Sequence, residues 1–200
     1  MKVHIISDSP KTNSGFANVA RHVAIGLSKI GYETTISGLQ TTYIPEFYYG
    51  IKQLPVVTPL DNISQVQHNI MMVDPDIVMY IGDVYTDTRQ FASVFPKTIV
   101  YCPVEGSVIP TQMIRNLNNV AKNGGKVVAQ CKYGYEEMKR AGINVDRYIY
   151  HGFDNKIFKE IDIKKNEKYC YYCTGVGQTF TNHRTLYQQK CFECIERSTD

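Results

Sequence analysis

Short apolar runs alternate along the chain with stretches whose apolar residues recur every three or four positions. Residues 2–7, 34–39, 77–81, 98–102, 126–130 and 147–150 read as strands. A further short strand is predicted near Val56-Val57, inside a Tyr- and Pro-rich stretch over 40–60 that otherwise reads as irregular. Between the strands, Phe16, Val19, Ala20, Val23, Leu27 and Ile30 fall on one helical face, with Asn13 or Ser14 as N-cap and Gly31 as stop. Helices are also predicted over 63–72, 88–94, 111–122 and 133–141. Asp74-Pro75-Asp76 stops the first of these, Asn123-Gly124-Gly125 the third and Gly142 the last. Strands that are apolar throughout and alternate with helices imply an α/β fold: a parallel sheet with helices on both faces.

Composition narrows the class. Hydrophobic residues at 43% and charged residues at 20% exclude a disordered chain. The longest apolar runs fall far short of the roughly 18 residues that span a bilayer. The first residues, Met-Lys-Val-His-Ile-Ile-Ser-Asp, meet a charge before a signal-peptide core forms, so the expected location is cytoplasmic. The net charge of +3 is spread evenly, which argues against a nucleic-acid partner. Two hundred residues hold one full α/β domain and part of another.

In an open parallel sheet, ligands bind beyond the carboxyl ends of the strands, and that rule selects the loops. The first, 7–15, leads from a strand to a helix N-terminus, where free N–H groups and the helix dipole favour a phosphate. Gly15 there lets a backbone approach a ligand closely. The loop matches neither a dinucleotide fingerprint nor a P-loop, so an ordinary loop and an anion site both stay open. Asp83 and Glu105 each lie just past an apolar strand, placed to accept a substrate hydroxyl or act as a base. The ordinary role of a single acid in such a place is a helix cap or a solvated charge. His151 stands in a fourth loop, where a packed, hydrogen-bonded imidazole is the commoner role.

Three segments carry a resemblance. Residues 2–38, with Asn13-Ser14-Gly15-Phe16-Ala17-Asn18-Val19-Ala20-Arg21, resemble the opening of a GT-B glycosyltransferase of the GT4 (glycosyl transferases group 1) type. Residues 127–134 resemble the family's strand that ends at a small polar residue before a helix. Tyr150-His151-Gly152-Phe153-Asp154-Asn155-Lys156-Ile157-Phe158 resembles its His-Gly-Val-Asp…Phe signature, with Phe153 in place of valine. The resemblance covers about residues 1–160 and implies a Rossmann-like acceptor-side domain facing a second domain that binds a nucleotide-sugar. It further implies that Ser14 and Gly15 approach the donor diphosphate, that Asp83 and Glu105 line the acceptor side, and that His151 and Asp154 mark the crossing between domains. The substrates implied are a nucleotide-sugar and a glycan or other acceptor, with no cofactor required.

Residues 161–200 form a short Cys-rich C-terminal extension, and they lack the family's paired glutamates and basic pair for the donor. Two readings of it stay open. It is the truncated start of a second domain, or it is a small module in which Cys170, Cys173, Cys191 and Cys194 hold a structural zinc. The two Cys-x2-Cys pairs stand 17 residues apart, a spacing that suits four thiolates around Zn²⁺. Cys191 and Cys194 also fit one face of a helix as buried small residues. The expectation is a glycosyltransferase of hexosyltransferase type that needs a partner chain carrying the donor domain. The alternative is a non-catalytic sugar- or nucleotide-binding module with a zinc-binding interaction tail.

Overall fold

The computed structural model describes residues 1–39, 45–56, 63–84, 95 and 97–152. The chain divides into two units, Met1–Gly152 and Phe153–Asp200, and the architecture here is that of the first. The predicted helix over 88–94, Asp154 and the four tail cysteines lie outside the described residues.

Eight strands form one sheet among the described residues. They are β1 (Lys2–Asp8), β2 (Glu33–Leu39), β3 (Glu46–Tyr48), β4 (Ile51–Val56), β5 (Ile77–Ile81), β6 (Thr98–Cys102), β7 (Lys126–Ala129) and β8 (Arg147–Tyr148). Their order is β3-β4-β2-β1-β5-β6-β7-β8, parallel throughout except for β3 against β4. Four helices are described: α1 (Gly15–Lys29), α2 (Ile63–Val73), α3 (Thr111–Lys122) and α4 (Lys132–Arg140). The α/β expectation therefore holds, with helices on both faces. On one face, Ala20 and Ala24 of α1 pack with Val3, Ile5, Ile36 and Ile51. On the other, Val66 and Ile70 of α2, Met113 and Leu117 of α3 and Met138 of α4 pack with Ile6, Val78, Val100 and Val127.

One expectation is corrected. The stretch over 40–60 is not irregular through its middle, where β3 and β4 make a hairpin closed by Tyr49-Gly50. Both turn residues have positive φ, 49° and 77°, the geometry that two-residue hairpin loops favour. Proline lacks a ladder donor, which disfavours Pro55 within a strand. The partner β3 reaches only as far as Gln53, however, so Pro55 forfeits no bond on that side.

Polar groups lie within this core and are paired there. His4 is fully buried on the α2 side of β1. Its Nδ1 lies 2.7 Å from Thr35 Oγ1 and its Nε2 lies 2.9 Å from Ser37 Oγ. Asn69 of α2 donates to the same Ser37 oxygen at 3.0 Å and to the Pro55 carbonyl at 3.2 Å. Burial disfavours the imidazolium and lowers the His4 pKa to about 4. At the turn from α3 into β7, a side chain on Gly125 would meet backbone. A Cβ there would lie 2.5 Å from the Thr98 carbonyl oxygen and 3.0 Å from that of Val120.

Two outcomes follow. Gly125→Ala should lower the free energy of urea unfolding by about 1–3 kcal/mol, and an unchanged midpoint would refute the close packing. For His4, the unfolded chain binds the proton at a higher pH than the native state. Its stability contribution is therefore complete above pH 6.5 and is lost as pH falls through about 4. The loss amounts to about 3 kcal/mol over that window. His4→Gln should flatten the slope of unfolding free energy against pH there.

Candidate functional site

From β1 the chain passes to β2 on one side, and it returns to β5 on the other. This reversal makes a topological switch point at the carboxyl ends of β1 and β5, the place where open parallel sheets bind ligands. Ser7 holds the strand ends there together. Its hydroxyl donates to the Ile81 carbonyl at 2.7 Å, with the Phe16 carbonyl a second acceptor at 3.5 Å. One buried side chain thus ties the ends of β1 and β5 to the first turn of α1.

The loop from β1 to α1 is held closely. Its Ser9 N–H donates to Leu39, and Ser9 Oγ receives bonds from Lys11 N–H at 3.3 Å and Gln53 Nε2 at 3.1 Å. Gly38 permits this approach, because a Cβ there would lie 2.8 Å from Gln53 Nε2 and 3.1 Å from Ser9 Cα. Lys11 forms an ion pair with Glu46 of the hairpin. Arg21 of α1 reaches Tyr48 Oη at 3.4 Å and the Pro10 carbonyl at 3.5 Å.

Ser14 is the N-cap of α1, one of the two residues the sequence offered. Its Oγ accepts from Ala17 N–H at 3.0 Å and donates to Asp8 Oδ2 at 2.6 Å. The Ser14 hydroxyl is therefore committed on both sides. Gly15 is exposed, and a Cβ on it would meet no heavy atom within 4 Å among the described residues. Sequence reasoning passed over Asp8, although it closes β1 at the same end of the sheet where Asp83 follows β5.

The other selected residues follow along the same edge. Asp83, half-buried, comes after β5, and its carbonyl accepts the Tyr80 hydroxyl at 2.6 Å. Burial, and after it the Asp83 charge, pushes the Cys102 thiol pKa up, so this cysteine stays protonated. Glu105 is exposed and follows β6. Because β1, β5 and β6 are neighbours, Ser14 with Gly15, Asp83 and Glu105 stand in that order along one sheet edge. His151 lies beyond β8, its ring edge-on to Tyr101 at 5.5 Å. Burial lowers its pKa. The Tyr101 hydroxyl donates to the Ile149 carbonyl at 2.8 Å, and burial followed by the nearby Cys131 raises its pKa to about 12.

A second residue escaped the sequence reading. Gln130 was counted as the last residue of a strand, but β7 ends at Ala129 and Gln130 stands at its carboxyl end. Among the described residues its Nε2 is buried with no acceptor. Buried donors are nearly always paired, so an orphan at a strand end is a candidate contact for a ligand oxygen. No feature of the sequence carried that signal. Among the described residues no group of three or more His, Cys, Asp or Glu side chains is placed to hold a metal ion, and no helix is long and apolar enough to cross a membrane.

No protein-family model matches the chain, and no curated protein matches it significantly. Solved structures do. Sucrose-phosphate synthase from Thermosynechococcus elongatus aligns with a TM-score of 0.60 at 10% identity, over 80% of this chain and 50% of that one. The enzyme WbmH of Bordetella bronchiseptica, in complex with NAD+, aligns at 13% identity over 64% of this chain and 54% of that one. Its TM-score of 0.41 is too low to bear on the fold. The first described unit thus has a Rossmann-like fold of the kind found in a sucrose-phosphate synthase, and the chain spans about half the length of that structure.

Gln130→Leu removes an unpaired buried donor. It should leave the free protein as stable as before or raise its unfolding free energy by up to about 1 kcal/mol. A loss of more than that would show that the amide is satisfied within the chain.

Proposed function

We propose that residues 1–160 form the acceptor-side domain of a GT-B glycosyltransferase of the GT4 type, which transfers a hexose from a nucleotide-sugar once a donor domain is supplied. The arrangement at the switch point carries this reading. The amide-bearing start of α1 and a row of carboxylates share one edge of a Rossmann-like sheet. The motif around His151 and the half-matching solved structure, named a sucrose-phosphate synthase, support the same reading.

Roles follow from the geometry. The N–H groups of Gly15 and Phe16 have no acceptor within the helix and point outward from its positive end. They are the donors offered to a diphosphate, since the Ser14 hydroxyl is already engaged. Asp8 opposes them by placing a carboxylate at the same mouth. Asp83 and Glu105 accept hydroxyls of the acceptor, and Gln130 donates to one of its oxygens. Stabilising the leaving diphosphate requires cationic groups or further helix ends, which the donor domain contributes.

Calorimetry of the full chain with UDP, GDP and ADP tests the reading. Weak binding is expected, with no release of nucleoside diphosphate from UDP-glucose or GDP-mannose by the chain alone. Gly15→Ala should weaken binding about tenfold while leaving thermal stability intact. Asp8→Asn should tighten it several-fold by removing the opposing charge. Failure to bind any nucleoside diphosphate or oligosaccharide would sink the reading.

A further inference from the structure

The sheet ends at β8, and its last residues carry a row of tyrosines. The rings of Tyr135, Tyr148 and Tyr150 are in succession, with centroids 5.6 Å and 5.5 Å apart. At one end the Lys139 ammonium lies 4.5 Å from the centre of the Tyr135 ring. At the other end Tyr150 adjoins His151, which packs on Tyr101 of β6. Tyr135 is anchored in the core, while Tyr148 is 39% exposed and Tyr150 is 60% exposed. Tyr135 and Lys139 are four residues apart on α4, so they share one face of that helix.

This is an unusual surface for a sheet edge. Exposed rings in contact with one another form a contiguous apolar strip rather than scattered side chains. Their hydroxyls give the strip hydrogen-bonding groups along its length. A pyranose presents a C–H face that packs on an aromatic ring and a rim of hydroxyls that bonds to phenols. The rings are inclined by 60° and 73° to each other, so they offer separate footholds and not one flat stack for successive bases. The even spread of charge along the chain also argues against nucleic acid. Lys139 adds a cation at the outer end.

We infer that the Tyr135–Tyr148–Tyr150 strip is a subsite for an acidic oligosaccharide, which lies across the tyrosines with an acid group at Lys139, at the end of the strip away from His151. The inference deepens the acceptor reading and rests on it. The strip would hold the part of a glycan chain remote from the reacting hydroxyl, and so would select for length and for acidity.

Calorimetry of the full chain against decagalacturonate, a neutral dextrin of equal length and a dT10 oligonucleotide tests the inference without a donor or turnover. Binding of the acidic oligosaccharide is expected, with a dissociation constant raised about tenfold in Tyr150→Ala. Lys139→Gln should weaken it less and remove its dependence on salt. Tyr150→Ser, with circular dichroism, confirms that the effect is not unfolding. Equal binding by the tyrosine variants, equal binding of the dextrin, or preference for dT10 overturns the inference. A chain that binds decagalacturonate through the strip but binds no nucleoside diphosphate would keep this subsite and lose the transferase reading.

Discussion

The central strand β1 is enclosed on both faces and along both edges, yet it carries His4 and Ser7 into that enclosure. A buried polar group costs several kcal/mol unless it finds a partner, so these two side chains dictate what must surround them. Thr35 and Ser37 of β2 face His4, and the Ile81 carbonyl of β5 faces Ser7. Apolar side chains alone fix register weakly in a strand buried on both faces, because a slip of one residue still buries them. The polar pairs remove that freedom. A shift by one would turn Thr35 and Ser37 to the α1 side and leave His4 facing isoleucine. Asn69 extends the same constraint to α2 through Ser37 and Pro55.

Register at the middle of the sheet becomes geometry at its edge. The Ser7 hydroxyl ties the end of β1 to Ile81 of β5 and to Phe16 at the start of α1, so the strand ends and the helix start are fixed together. The switch point is a consequence of the reversal in strand order at β1 and not of any single loop residue. Its one-sided support is visible in the first loop, where Ser9 is held by Leu39 and Gln53 while Gly15 stands open.

Most of this sheet was legible because strands buried on both faces are uninterrupted in apolar residues. β5, β6 and α3 fall where the pattern puts them. The hairpin of β3 and β4 was not legible, since half of it is exposed and Pro55 reads as a break. Only its partner strand shows that the missing donor is harmless. In the site, Ser14 was readable as a cap and Asp83 and Glu105 as strand-end acids. Asp8 was equally readable by the same rule, but its bond to Ser14 is a fact of the folded loop. Gln130 was not readable at all. An orphaned amide is defined by what fails to surround it, and that depends on the fold, which seats the Gln130 backbone against the Cys102 carbonyl of a strand some thirty residues earlier.

The chemistry of the edge separates two tasks that one site would otherwise combine. Asp8, Asp83 and Glu105 place three carboxylates along it. The nearest cations on the first loop and α1 are turned elsewhere, Lys11 to Glu46 and Arg21 to Pro10 and Tyr48. Carboxylates accept from hydroxyls and repel phosphates, so such an edge suits a polyhydroxy ligand far better than a diphosphate. The few amides at the start of α1 carry only about half a unit of positive charge, enough for weak binding of a diphosphate but not for a tight hold. On the proposed reading, this edge seats a sugar acceptor and the diphosphate draws its cations from a donor domain, a division that the engaged cations of the first loop and α1 favour.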